Sequence, residues 1–253
     1  MINQAMNCKN CNQSLNSNFC AHCGQSAKVS RINFTSFASE LSGSIFQINR
    51  GLFYTVKELF VRPGHSIREY LEGKRKNHFK PIAYAFTLST IYFLLSKFFE
   101  SPTFINDAME GFAIGVSDTG EGAHGLKIIE WFAKNYAYTI LLLLPMYALA
   151  SFIAFREAGW NYLEHCVLNA YIIGQQAIIY SIYALGGVAI DDYDVLVNLT
   201  LLISGIYTFT TFWQFFDKPS RLGVMLRTIL TYFLSLIFLT IMLMIVIALS
   251  GVK

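Results

Sequence analysis

Five stretches of this chain are long and almost free of charge: Pro81 to Phe99, Asn135 to Phe155, Cys166 to Ile190, Val195 to Phe216 and Thr228 to Val252. Each approaches or exceeds the roughly 20 residues a helix needs to cross the hydrocarbon core of a bilayer. Lys97 is the one charge inside them, and it lies close enough to a segment end to snorkel to the interface. An all-α integral membrane protein with five transmembrane helices, occupying residues 81–253, is therefore predicted. The bulk composition agrees, since 54% of the 253 residues are hydrophobic and only 14% are charged.

Basic residues orient such a bundle, because loops that stay in the cytoplasm retain Lys and Arg. The N-terminal flank carries Arg62, Arg68, Lys74, Arg75, Lys76 and Lys80, the second-to-third loop Arg156, and the fourth-to-fifth loop Lys218, Arg221 and Arg227. The opposite side has Lys97, Lys127, Lys134 and Lys253. The N-terminus is expected in the cytoplasm and the C-terminus outside. Acidic residues mirror this, from Glu100 to Glu130 in the first external loop and at Asp191, Asp192 and Asp194 in the second, giving the outer face a negative field. That Asp group is a poor calcium cage without further oxygen ligands, so a solvated loop is expected.

Met1 to Lys28 has no early apolar run, so a cleaved signal peptide is not expected. It holds four of the five cysteines as two C-x-x-C pairs, Cys8 with Cys11 and Cys20 with Cys23. Two such knuckles can present four thiolates tetrahedrally to Zn²⁺. Gly24 follows the second pair and Asn12 the first, where the turn commonly needs a positive φ. A segment this short cannot bury a sufficient core, so a structural zinc would supply its folding energy. A redox pair or disulfide-closed loop is the alternative, disfavoured by the reducing cytoplasm. His22 is expected to face solvent.

Residues 29–80 form a cytoplasmic region of helical periodicity. Phe34, Phe37, Leu41 and Ile45 make one apolar stripe, and Leu52, Val56, Leu59 and Phe60 another, with Arg50 and Gly51 between. Both helices are too polar to span and either lie on the membrane surface or dock under the bundle. Pro63-Gly64 then turns the chain, Ser66 and Glu69 read as a capping box, and Gly73 is placed to end the short helix. A basic collar follows. Its residues Lys74, Arg75, Lys76 and Lys80, with Arg68, are candidate contacts for anionic lipid headgroups, although a topology signal alone explains them.

Polar groups in or beside apolar helices are the remaining candidates for function. Glu164 and His165 open the third span and suit metal coordination, proton relay or headgroup binding, or else a plain N-terminal carboxylate beside an interfacial imidazole. Gln175 and Gln176 lie near its middle, where interhelical hydrogen bonding competes with a solute-binding role. No H-E-x-x-H, G-x-S-x-G or G-x-x-x-x-G-K-[ST] pattern occurs, and no catalytic residues are assigned.

The runs FCAHCGQ, VRPGHSIREYLEGKRKNHFKPIAY and NYLEHCVLNAY resemble the bacterial membrane-protein family known as domain of unknown function 3667. The most specific portion is P-G-x-x-I-x-x-Y-x-x-G-K-R with the following Lys80-Pro81. The resemblance implies a zinc ribbon joined to a multi-span domain in the inner membrane and brings no established activity. It points to the four cysteines, Pro63, Gly64, Tyr70, Gly73, Lys74, Arg75, Pro81, Glu164 and His165. Asn12 stands where glycine is usual.

The leading expectation is a non-enzymatic inner-membrane protein whose ribbon contacts a protein partner while the helices anchor it. A transporter or lipid-handling protein using Glu164, His165, Gln175 and Gln176 is the alternative, without the inverted repeat or broken helices of common transporters. A membrane enzyme comes third. Nucleic acid is not expected as a partner, because only Lys9, Lys28 and Arg31 lie near the ribbon and the net charge is just +3.

Overall fold

The architecture is taken from a computed structural model, which describes residues 6–35, 51–101, 103, 131–186 and 193–250. The first amphipathic stripe beyond Phe34, the acidic loop from Asp107 to Glu130, Asp191-Asp192 and Lys253 lie outside the described residues. A two-stranded antiparallel ribbon, β1 (Met6–Asn7) and β2 (Ser14–Leu15), opens the chain. Among the described residues seven α-helices follow: α1 (Gly51–Val61), α2 (Pro63–Glu72), α3 (Pro81–Phe98), α4 (Tyr136–Ala154), α5 (Tyr162–Gly186), α6 (Tyr193–Phe215) and α7 (Arg221–Ser250).

Among the described residues, three helices are long and apolar enough to cross a membrane: Tyr136–Ala154, Val195–Phe215 and Arg221–Ile245. The expected first and third spans form as α3 and α5 but fall outside that set, so five spans are not established. The reason is composition. Helix α3 carries Thr87, Ser89, Thr90, Ser96 and Lys97, and α5 carries Glu164, His165, Asn169, Gln175 and Gln176.

Those polar helices are the inner ones. Helix α5 buries Val167, Leu168, Ala170, Tyr171 and Ile172 almost completely and packs along α3, with α4 and α6 on its flanks. Gly174 brings α3 and α5 together, since a Cβ there would stand 2.4 Å from the Tyr84 ring. Helix α7 is the reverse case and leaves Leu226, Ile229, Phe233, Leu236 and Ile241 exposed. Such an apolar outer wall is what lipid tails would cover.

At the ribbon end, α2 begins earlier than the sequence suggests, with its N-cap at Arg62 and not at Ser66. Pro63 is its first residue, and Arg62, the residue before it, makes no side-chain cap. Proline at this position has its φ pre-set and no N–H to leave unpaired, so it outcompetes the Ser66–Glu69 pattern as a start signal. The capping-box reading is therefore corrected. Ser66 is a buried interior residue whose hydroxyl meets His78 Nε2 at 3.0 Å. Burial pushes the His78 imidazole below its usual value, and the edges of Tyr54 and Tyr70 enclose it. Gly73 does end α2, at φ 121°. In α1 the inward stripe is Leu52, Thr55 and Leu59, while Phe60 points outward, contrary to the pattern read from sequence.

Candidate metal centre and its seat on the bundle

The two cysteine knuckles are the same turn made twice. Cys8 N–H donates to Gln13 O and Asn12 N–H to Cys8 O, each at 2.8 Å; Cys20 N–H donates to Gln25 O and Gly24 N–H to Cys20 O, again at 2.8 Å. The residue closing each turn is left-handed, Asn12 at φ 61° and Gly24 at φ 72°. Asparagine tolerates that region better than other non-glycine residues, so the missing glycine leaves the first turn intact.

These turns bring the four sulfurs within 4.8 Å of one another. Cys8 and Cys23 Sγ stand 3.6 Å apart and Cys11 and Cys20 Sγ 3.5 Å. Four thiolates at about 2.3 Å from a central ion would be about 3.8 Å apart, so these two separations are near those of a tetrahedral site and far from disulfide contact. Backbone amides of Cys11 and Cys23 are the main influence holding the Cys8 and Cys20 thiols below their usual value, Cys20 at about 6. The four cysteines can hold a metal ion. His22 is exposed and takes no part, as expected.

Gln25 joins this centre to the collar. Its buried amide donates to Gly73 O at 2.8 Å and accepts from Arg75 N–H at 3.0 Å and Lys76 N–H at 3.1 Å. One side chain thereby satisfies three backbone groups of the α2–α3 connection. Replacement by alanine leaves all three without that partner; a loss of about 1–3 kcal/mol is expected, read as faster amide exchange at Arg75 and Lys76 with metal content unchanged.

The candidate anion contacts fall into two groups. Arg68 is spent on α6, donating to Asp217 at 2.6 Å and to the terminal carbonyls of Gln214 and Phe215. Arg75 donates to Tyr70 O and Ser30 O and lies over the Tyr70 ring. Lys74 pairs with Glu69 at 3.0 Å, whereas Lys76 and Lys80 are exposed.

The Glu69 carboxylate sits below its ordinary 4.5, chiefly through Arg62 and then Lys74. A lowered folded-state value means stability present above the unfolded value and lost as pH falls through the folded one. The acid limb of a stability profile below pH 4.5 is thus expected to be shallower in Glu69→Gln than in the parent chain.

Glu164 is 1% exposed and serves as a cap. Its carboxylate accepts from Asn161 N–H at 2.7 Å while Asn161 Oδ1 accepts from Glu164 N–H at 2.9 Å, a reciprocal box at the start of α5. It also receives Arg31, at 2.7 and 2.6 Å. His165 points elsewhere: its Nδ1 meets Ser151 Oγ at 2.9 Å, Asn169 Nδ2 donates to the same hydroxyl, and Phe216 stacks on the ring. Glu164 and His165 therefore form two separate clusters. Gln175 accepts from Tyr84 O–H, and Gln176 donates to Ser204 and Thr208 on α6, so both bridge helices.

Gln25, Arg31, Ser151 and Asn169 escaped the sequence reading. For Gln25 and Arg31 no local pattern signals the contact, which reaches 48 or more residues along the chain. Asn161-x-x-Glu164 did carry a legible capping signal.

Residues 49–93 match the family described as "Protein of unknown function (DUF3667)". The match spans α1, α2, the collar and most of α3, in line with the resemblance noted from the collar motif, and stops short of the cysteines. No curated protein and no solved structure matches the chain.

Proposed function

We propose that this chain is a non-enzymatic protein of the bacterial inner membrane, whose cytoplasmic zinc ribbon presents a folded surface to a protein partner. The carrying observation is the four-sulfur cluster held by two matched turns. Zinc suits it as a closed four-thiolate site with no open position, which is a structural rather than a catalytic arrangement. The ribbon's outward face includes Phe19, 63% exposed, an apolar anchor of the kind found at interface centres.

In this reading all five long helices span, with the N-terminus inside. Helices α3 and α5 tolerate polar residues because neighbouring helices shield them from lipid, and Gln176, Tyr84 and Gln175 bond across helices there. Headgroup contact belongs to Lys76 and Lys80, which are exposed, while Arg68 and Arg75 serve the fold. The alternative, small-solute or lipid handling, draws support from the buried Gln175 Nε2, which has no hydrogen-bond partner.

Affinity purification of the full chain and of Phe19→Ser from membranes tests the leading reading. Retained zinc with loss of a stoichiometric partner in Phe19→Ser is expected; an unchanged set of bound proteins sinks the interaction role.

A further inference from the structure

The segment joining ribbon to bundle is pinned at three consecutive residues. Ser30 O accepts from Arg75 Nη2 at 3.0 Å. Ile32 is 3% exposed, and its carbonyl accepts from Asn161 Nδ2 at 3.3 Å. Between them Arg31 lays one edge of its guanidinium on the bundle: Nε donates to Glu164 Oε1 at 2.7 Å, and Nη2 to Glu164 Oε2 at 2.6 Å and Gly159 O at 2.8 Å.

The two halves of this pair are unequal. The Glu164 side chain is 1% exposed and that of Arg31 59% exposed. The bundle itself fixes the carboxylate through Asn161, and it fixes the Gly159 carbonyl through a left-handed residue at φ 87°. The cation comes from outside, on a different part of the chain. A buried carboxylate stripped of its cation is strongly unfavourable, so a lifted segment leaves a formed acceptor cradle in need of a replacement. Two carboxylate oxygens and a carbonyl set along one edge suit a planar fork, and a compact ammonium fills them poorly.

We propose that Glu164 and Gly159 form a guanidinium-binding site, and that Ser30 to Ile32 is a tethered strap that fills it with Arg31 until another guanidinium, on a peptide arginine or a free guanidino compound, displaces it. This goes beyond the ribbon's role and stands whether or not Phe19 holds a partner.

The full chain carrying Arg31→Ala, in detergent, is titrated with methylguanidinium, with a capped Ser-Arg-Ile tripeptide and with potassium chloride at matched ionic strength. Either guanidinium is expected to raise Tm saturably, by roughly 3–5 °C at about ten times its dissociation constant, and potassium is not. The parent chain responds far less, because its tethered Arg31 competes at high effective concentration. Tighter binding of the tripeptide assigns a peptide arginine; tighter or equal binding of methylguanidinium assigns a free compound. Adding Glu164→Gln to Arg31→Ala removes the response. A missing response, an equal one with potassium, or one that survives Glu164→Gln overturns the proposal. Should Arg31→Ala not be recovered folded, the same additions are made during solubilisation. Recovery of a monodisperse chain with methylguanidinium but not potassium then supports the site, and failure with both overturns it.

Discussion

Replacement of Cys20 by serine is expected to abolish stoichiometric metal binding and to detach the ribbon from the bundle in one step. The ribbon has almost no core of its own: in residues 7–28 the buried apolar groups are Cys8 and Cys20, both in the four-sulfur cluster, and its large aromatic, Phe19, is exposed. On the zinc reading proposed above, metal binding supplies its folding energy, on the order of 10 kcal/mol in small zinc modules. Cys20 also anchors the second turn through its N–H and C=O, and Gln25 is the acceptor residue of that turn. Unwinding it withdraws the Gln25 amide from Gly73, Arg75 and Lys76. On the same reading, zinc per chain by mass spectrometry is expected to fall from about one to near zero. The Arg75 and Lys76 amides are expected to lose exchange protection while α3 and α5 keep theirs, because the close contact of Gly174 with Tyr84 and Ala85 involves neither Gln25 nor the cysteines. Unchanged zinc, or unchanged protection at Arg75 and Lys76, contradicts this coupling.

Local chemistry was legible and distant chemistry was not. The cysteine turns could be read because ligand spacing and the positive φ at Asn12 and Gly24 are properties of a few adjacent residues. A polar residue followed three positions later by Glu misled at Ser66–Glu69, whereas at Asn161–Glu164, where only Glu164 was read as an N-terminal carboxylate, the same spacing does form a cap. At the first site Pro63 supplied a stronger start, and at the second no proline competed. Hydrophobic runs located all five long helices, yet run length says nothing about which neighbour covers a helix. That is why polar α3 and α5 sit inside and apolar α7 outside. Arg31 looked like a stray cation near the ribbon, because its partner Glu164 lies 133 residues away.

Gly64→Ala is expected to be the most damaging single methyl that can be added to this chain's described helix contacts. Gly64 is the second residue of α2, and it lies against the last turn of α6, where its N–H donates to Gln214 Oε1 at 3.2 Å. A Cβ built on it would stand 2.4 Å from both Phe215 N and Thr211 O, and 2.5 Å from Gln214 Cβ. Two of those three obstacles are backbone, which cannot rotate away as a side chain would. Relief therefore requires α2 to move off α6 as a body. Doing so breaks the Arg68 contacts to Gln214 O, Phe215 O and Asp217, which satisfy the otherwise unpaired end of α6. Overpacking of this kind costs about 1–3 kcal/mol where side chains can adjust; here about 3 kcal/mol or more is expected, once the stranded carbonyls are included. Gly205 provides the control, because nothing lies within 4 Å of a Cβ there and Gly205→Ala removes a flexible residue from mid-helix α6. Thermal unfolding in detergent should therefore separate the two glycines, with Tm falling for Gly64→Ala and holding or rising for Gly205→Ala. Equal Tm values for the two variants would mean that α2 is not locked to α6. The collar, the ribbon and the strap would then be hung on a movable helix instead of a fixed one.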